Sequence, residues 1–519
     1  MKYIKYLSII IFIFSFLLLR PYHLQKTGLI YAGDDQSYFA QATSLAFFEF
    51  PSYKKEGYFV GDGSPMHSIG PGILAAPFVF LFSQIDRLQG SSIVVARAGS
   101  DIFGSWSAFG FLISTYFYFY VGWLLLFLAL RYYFEDKIAF LSVLFMIFVQ
   151  LTPLYVFRRP IFSHIYEFFL ACSFIYLLLK NNKENIIDKK YSVILVGLIT
   201  GLIYLVRNNN LFVSLIMPLV LICFGKDGIS FKGKSKQLLA VYGIAAFLVF
   251  VFKGIPALLY GEHYSEIAKA LLRTYSPLTY VKRILHIIFG IDWGLLYTAP
   301  FALAGFTGLF LLKDRTVRNQ LLLLCVPILF NLYIVIVWGE HGSFYGYRYL
   351  FFSLAPLIVF PFADLLNRMK DRFGFHKVLI TCCIISILPI MPMLCFEGNA
   401  TNLTMHKHDD YFWYMGFAAN DTGNKTFQIE VWKTFILQPK EFFTATLKAG
   451  PLYAVYIGSL VFKLTKYLPS EVIAKYQSFN ITLLIRVIII YIFPFFMYLI
   501  AKKIFDNDNL DEKEGQNVR

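Results

Sequence analysis

Charge is scarce in this 519-residue chain. Asp, Glu, Lys and Arg together make up 15% of it, against roughly 25% in soluble domains. That shortage excludes an ordinary soluble enzyme, whose water-facing surface needs more. Acidic residues are the scarcer sign, 32 against 47 basic, for a net charge of +15. Cysteine is also sparse. Cys172, Cys223, Cys325, Cys382, Cys383 and Cys395 fall in or at the end of apolar stretches and form no C-x-x-C pair. Neither a zinc site nor a disulfide framework is supported. No Gly-rich phosphate loop is present, so no nucleotide site is indicated, and no repeat of solenoid period is visible. The basic residues lack the interleaved aromatics of a nucleic-acid surface, so nucleic acid is not a partner. They gather in short loops between apolar runs, as cytoplasmic loops do.

What the chain has in abundance is apolar and aromatic residues: 58% hydrophobic, with 57 Phe and 35 Tyr, and a mean hydropathy of +0.61. A spanning helix needs about 20 mainly apolar residues. Candidate stretches lie at 4–19, 69–84, 105–130, 138–156, 161–179, 191–206, 211–224, 238–260, 291–312, 321–338, 349–366, 378–395 and 483–500. The basic loops 131–137, 180–190, 226–236, 313–318 and 368–377 share a side with Lys2 and Lys5 only if one stretch does not cross. The stretch 69–84 is short and opens with Gly70-Pro71-Gly72, so it is assigned to the membrane interface.

The expectation is an all-α polytopic membrane protein of about twelve transmembrane helices, with an uncleaved first helix and both termini inside. Residues 1–395 form the transmembrane module, and 21–104 its first external loop with interfacial helices. Residues 396–482 form a small external region that includes an interfacial run at 452–464. Residues 483–519 supply the last helix and a cytoplasmic tail. Sequons at Asn399, Asn402, Asn420, Asn424 and Asn480 carry no inference. The Lys/Asn/Ile/Phe-heavy composition leans toward a bacterial inner (plasma) membrane.

Chemistry-bearing residues gather on the side assigned as external. Asp34 and Asp35 lie a short way beyond the first apolar run, and Tyr38, Ala42 and Leu45 follow at helical spacing. The pair therefore sits at a helix N-terminus, which favours negative charge. A helix cap with a first-turn acid is the plainer reading. Arg158, Arg159, Arg207 and Arg348 run against the positive-inside bias. Guanidinium forks bind phosphate oxygens bidentately, and snorkelling to headgroups is the alternative. His164 and Glu167 are one helical turn apart near the same face. Intramembrane ionisable groups are functional candidates. This pair contacts substrate or hydrogen-bonds a neighbouring helix, and a divalent metal would need more ligands. Glu340 and His341, ahead of Arg348, line the same cavity or pack a loop.

These pieces resemble the C-type integral-membrane glycosyltransferases, which include protein O-mannosyltransferases and lipid A aminoarabinose transferases. The paired acid followed by Tyr38 and Ala42 looks like their element after the first span. Met66-His67-Ser68-Ile69-Gly70-Pro71-Gly72 resembles their second loop element, although many members have Lys where His67 stands. Ala96-Arg97-Ala98-Gly99-Ser100 resembles the opening of their second span. Gly201-Leu202 through Arg207-Asn208 is similar to a helix end. Trp338-Gly339 through Gly346-Tyr347-Arg348-Tyr349-Leu350 is similar to a Trp-Gly…Gly-x-Arg-Tyr-Leu element of bacterial members. The likeness covers roughly the first 360 residues in scattered pieces.

The resemblance implies transfer of a sugar from a polyprenyl-phosphate-linked donor to a glycan, lipid or protein acceptor at the outer face. It implies Asp34 or Asp35 as general base and Arg158, Arg159, Arg207 and Arg348 at the donor phosphate. Tyr38, His67, His164, Glu167, Glu340 and His341 become possible substrate contacts. No cofactor is called for. The alternatives are a transporter or lipid flippase, a polysaccharide polymerase or ligase, and a structural assembly subunit.

Overall fold

The computed structural model describes residues 2–19, 34–50, 67–90, 105–261, 276–338, 348–395 and 481–517, apart from scattered positions within them, with short pieces at 59–65 and 436–463. Helices account for nearly all of these. The first are α1 (Lys2–Leu18), α2 (Asp34–Ala46), α3 (Gly70–Leu88), α4 (Trp106–Arg131) and α5 (Asp136–Val143). Then come α6 (Ser163–Glu184), α7 (Lys190–Val206), α8 (Leu211–Cys223) and α9 (Ser235–Tyr260). The chain continues through α10 (Pro277–Phe289), α11 (Leu295–Thr298), α12 (Pro300–Leu311) and α13 (Arg315–Trp338). It ends with α14 (Arg348–Phe373), α15 (Phe375–Cys395) and α16 (Ile481–Asn517). Extended structure among the described residues is two antiparallel two-residue pairs, Phe59–Val60 with Ser64–Pro65 and Phe224–Gly225 with Gly228–Ile229.

Six helices are long and apolar enough to cross a membrane: α4, α6, α9, α14 and most of α13 and α16. α7, α8, α12 and part of α15 are apolar but shorter. With so many apolar helices the chain is an integral membrane protein that crosses repeatedly. Lipid tails give no hydrophobic drive to helix association, so close packing must hold the helices together. Gly197 and Gly201 on α7 show how. A Cβ at Gly197 would stand 2.8 Å from Ile244 Cβ, and one at Gly201 3.2 Å from Ala245 Cα. α7 and α9 thus meet through a small-x-x-x-small face. The first and last helices also pack together, with Phe12 and Tyr491 ring centroids 5.5 Å apart.

Two expected spans are broken. The stretch 138–156 is not one helix. α5 stops at Val143, a π turn runs over Leu144–Phe148, and a second follows at Leu154–Arg158. Pro153, just ahead of the second turn, lacks a backbone donor. In a membrane the freed carbonyls need internal partners. Gln150 supplies partners for two carbonyls of the first π turn, its Nε2 donating to those of Phe145 at 2.8 Å and Met146 at 2.7 Å. The stretch 291–312 is likewise split, into α11 and α12, at Ala299-Pro300. α10 falls in a stretch read as loop, and it leaves Leu278, Val281, Leu285 and Phe289 exposed along one face.

The helices define two ends. At one, loop charges pair with each other: Arg131 Nε with Asp136 at 2.7 Å, Lys370 with Glu135 at 3.1 Å, Lys234 with Asp188 at 3.5 Å. The opposite end gathers the start of α6, the turn between α7 and α8, and the start of α14. α2 and α3 lie against that end. α3 is anchored at its far end by Asp86, whose carboxylate accepts from the Trp106 and Ser107 amides at 2.8 Å each. It thereby caps α4, where negative charge suits the helix dipole. Arg486 of α16 lies over the Trp106 ring at 4.8 Å and joins the last helix to the same corner.

Candidate functional site

α6 begins at Ser163, so His164 and Glu167 lie on one face of its first turn. α7 ends at Val206. Arg207 is extended, and Asn208–Asn210 form a single 3-10 turn before α8. That break turns the Arg207 side chain back onto α6. Its Nη1 lies 2.8 Å from His164 Nδ1, and its Nε 3.7 Å from Glu167 Oε2. A guanidinium only donates, so the His164 ring accepts from it. Glu167 Oε1 accepts from Asn210 Nδ2 at 2.9 Å, and Asn210 Oδ1 from Asn331 Nδ2 of α13 at 2.9 Å. A cavity of about 20 Å³, room for roughly one water, adjoins Glu167, Asn210 and Ser353.

Arg348 opens α14 and is 3% exposed. Its guanidinium lies over Phe162 at 4.7 Å and Tyr349 at 5.0 Å, and its Nη2 donates to Tyr349 Oη at 3.1 Å. Arg207 lies over the same Tyr349 ring at 4.3 Å. His164 stacks on Phe352 at 5.2 Å and meets Tyr349 edge-on at 5.5 Å. Two guanidinium groups therefore share an aromatic neighbour and flank one imidazole. Cation–π contact and the Glu167 carboxylate offset part of the desolvation cost of burying them. Such groups inside a membrane protein face its interior and mark functional positions.

The helix that begins with the acidic pair is tied to this cluster by a strap. α2 starts at Asp34, as the spacing predicted, and buries Ser37, Tyr38 and Gln41. Gln41 Nε2 donates to the His67 carbonyl at 3.2 Å, and the Tyr38 and His67 rings are 5.4 Å apart. The next residue, Ser68, accepts from the Asn208 amide at 3.3 Å. The Gly-Pro-Gly that follows has a packing reason. A Cβ on Gly70 would stand 2.3 Å from the Val206 amide nitrogen, and one on Gly72 2.7 Å from Gln41 Cβ. Residues 67–72 thus clamp the helix of the paired acid against the turn that carries Arg207.

Of the residues singled out in the sequence, Arg207, Arg348, His164 and Glu167 form one buried cluster, and Tyr38 and His67 adjoin it through Ser68 and Asn208. The side chains of Asp34, Asp35 and Arg158, and all of Arg159, Glu340 and His341, lie outside the described residues, as do Ala96–Ser100 and most of 396–482. Among the described residues no three His, Cys, Asp or Glu side chains gather as metal ligands would. Sequence reasoning quoted Ser68 and Asn208 within motifs but gave them no role, and it missed Asn210 and Asn331, uncharged residues with no spacing signal. It also missed Lys253, which is buried, donates to Asn208 Oδ1 and stands 4.2 Å over the Tyr204 ring. The signal there was plain: a lysine inside an apolar run.

No protein-family model matches the sequence, and no curated protein is detectably similar to it. Among solved structures, the chain is similar to the Archaeoglobus fulgidus oligosaccharyltransferase in complex with zinc and sulfate. Identity is 16% and the TM-score 0.41, over 74% of this chain and 52% of that one. The same enzyme with an inhibitory peptide and a dolichol-phosphate gives 14% and 0.40, over 75% and 55%. The chain spans about half the length of these enzymes. Likeness of this degree leaves function to the chain's own residues.

Proposed function

We propose that this chain is a membrane glycosyltransferase that moves a sugar from a polyprenyl-phosphate donor to a glycan, lipid or protein acceptor. In this reading about twelve helices cross, both termini are cytoplasmic, and residues 396–482 form an external region. The site faces outward from a bacterial inner membrane. What supports the reading is the strap at 67–72, which ties the helix beginning with Asp34 and Asp35 to the turn bearing Arg207. In this reading acid and guanidinium chemistry share one end of the bundle.

The reaction asks for both. As the bond from the acceptor oxygen to the sugar's anomeric carbon forms and the anomeric carbon–phosphate oxygen bond breaks, the acceptor hydroxyl gives up its proton. Asp34 takes it, with Asp35 orienting the acceptor; adjacent carboxylates couple, so the two act as a unit. The departing polyprenyl phosphate gathers negative charge, which Arg207 and Arg348, with Arg158 and Arg159, stabilise by charge-assisted hydrogen bonds. Glu167 and Asn210 keep Arg207 in place. The sugar transferred is a hexose or a pentose, and no metal or other cofactor enters these steps.

The broken span at 136–158 favours a second reading, a transporter or lipid flippase, because transporters use interrupted helices near the membrane midplane. Against it, His164, Arg207 and Arg348 stand at helix ends rather than mid-span. One experiment separates the two. Purified protein in vesicles is given radiolabelled polyprenyl-phosphate sugars, and consumption of each is followed. Donor consumption that disappears in Asp34→Asn and Asp35→Asn supports transfer. Lipid movement across the bilayer with no bond broken supports transport.

A further inference from the structure

Besides the strap, two spans grip the turn that carries Arg207. From α9, Lys253 donates to Asn208 Oδ1; the helix is irregular there, with a π turn over Phe250–Gly254. From α13, Asn331 reaches Asn210. Asn331 sits in the run Ile328-Leu329-Phe330-Asn331-Leu332, four residues beyond the Pro327 inside the helix, and is 1% exposed. An amide in an apolar span must find its partner inside the protein. Asn331 Nδ2 donates to Asn210 Oδ1 at 2.9 Å, and Asn210 Nδ2 donates to Glu167 Oε1 at 2.9 Å. Glu167 Oε2 stands 3.7 Å from Arg207 Nε. Asn331, Asn210 and Glu167 are all buried, so bulk water does not compete for these bonds.

The direction of this relay is fixed at its inner end. A carboxylate only accepts, so Asn210 must turn its NH2 toward Glu167 and its carbonyl toward α13. An asparagine amide that rotates by half a turn exchanges those two arms. The donor at Asn331 holds the carbonyl arm, and so holds the other arm on Glu167. Removing that donor releases the amide, and the flipped form would set a carbonyl oxygen against the carboxylate.

We propose that Asn331 is a positioning residue for the phosphate-binding guanidinium of Arg207, acting through Asn210 and Glu167 from a separate span. The inference rests on the transferase reading and adds to it a residue that acts at one remove. Its effect is partial, because His164 also accepts from Arg207, at 2.8 Å. The plainer role is an interhelical bond that only holds α13 to the bundle. That role predicts something different: a loss that does not depend on Arg207.

The test is a double-mutant cycle in the donor-consumption assay, on monodisperse full-length protein with melting temperatures recorded. Asn331→Leu is expected to lower kcat about tenfold while KM for the donor changes less, as displacement of a group acting on the leaving phosphate does. Asn331→Gln, which keeps the amide, is expected to recover part of that loss. In an Arg207→Ala background, Asn331→Leu is expected to lower transfer by less than about twofold, because the relay then has no guanidinium to hold. Equal losses in the two backgrounds overturn the inference and leave the transferase reading standing, as does a wild-type kcat in Asn331→Leu. No donor consumption by wild-type protein overturns both. Should Asn331→Leu fail to fold, Asn331→Ala takes its place in the cycle. A cryo-EM structure of the wild-type protein adds a check that needs no variant: the Asn331 and Asn210 amides within hydrogen-bond reach support the relay, and the two beyond reach overturn it.

Discussion

At the basic end of the bundle Lys370 meets Glu135 and Arg131 meets Asp136 with their side chains open to solvent, from 31% exposed at Lys370 to 70% at Glu135. At the opposite end Arg207 and Arg348 are enclosed among Tyr349, Phe162 and His164, and Glu167 is 1% exposed. The residue types are alike and their situations are not. Solvated pairs cost little to form and contribute little, so the positive-inside bias accounts for them. Enclosed guanidinium groups cost several kcal/mol each in desolvation, and nothing about topology requires them. Position in the bundle, not charge count, separates solvated cations from enclosed ones, and only the enclosed ones enter the proposed chemistry.

That contrast can be broken most directly at the arginines. Arg207→Ala or Arg348→Ala is expected to lower kcat/KM for the labelled donor by about 10²–10³-fold, the effect of removing a donor aimed at developing charge. A transfer assay on monodisperse protein decides it. Retained donor use in both variants would make the two ends equivalent. Next in size, Glu167→Ala leaves Arg207 without its carboxylate and is expected to cost about 3–5 kcal/mol of stability, read as a lowered melting temperature in detergent. Gly70→Ala forces a methyl onto the Val206 backbone. About 1–3 kcal/mol of overpacking strain is expected, along with a fall in transfer and little change in helix content by circular dichroism. The smallest effect belongs to the other end. Glu135→Gln with Lys370→Met is expected to shift stability by under about 1 kcal/mol and leave transfer untouched; a large loss there would blur the distinction between the ends.

Much of this architecture was legible in the residues. The apolar runs located the helices because lipid imposes length and polarity together. The Gly70-Pro71-Gly72 opening was read as an interfacial start, and α3 does begin at Gly70. The spacing of Asp34, Tyr38, Ala42 and Leu45 located the start of α2. Arg207, Arg348, His164 and Glu167 were found because charge beside an apolar run is conspicuous. The breaks at 144–158 and at Ala299-Pro300 were harder, since hydropathy does not register how a carbonyl is satisfied, and Gln150 does that work from within an apolar run. The roles of Ser68, Asn210 and Asn331 depend on contacts between segments far apart in sequence, to which no local pattern points. Lys253 was visible but was passed over as one charge in a long run.

The π turn at Phe250–Gly254 has a consequence for how this span is compared with others. An α-helix advances about 100° per residue, so one extra residue would rotate everything after it by that amount unless a π turn absorbs it, as Phe250–Gly254 does. A homologue whose helix is regular at this point carries one residue fewer, and a gap-free alignment would set Lys253 against a position pointing about 100° away. Ancestry across this helix will be read correctly only by alignments that leave one residue within 250–254 unmatched.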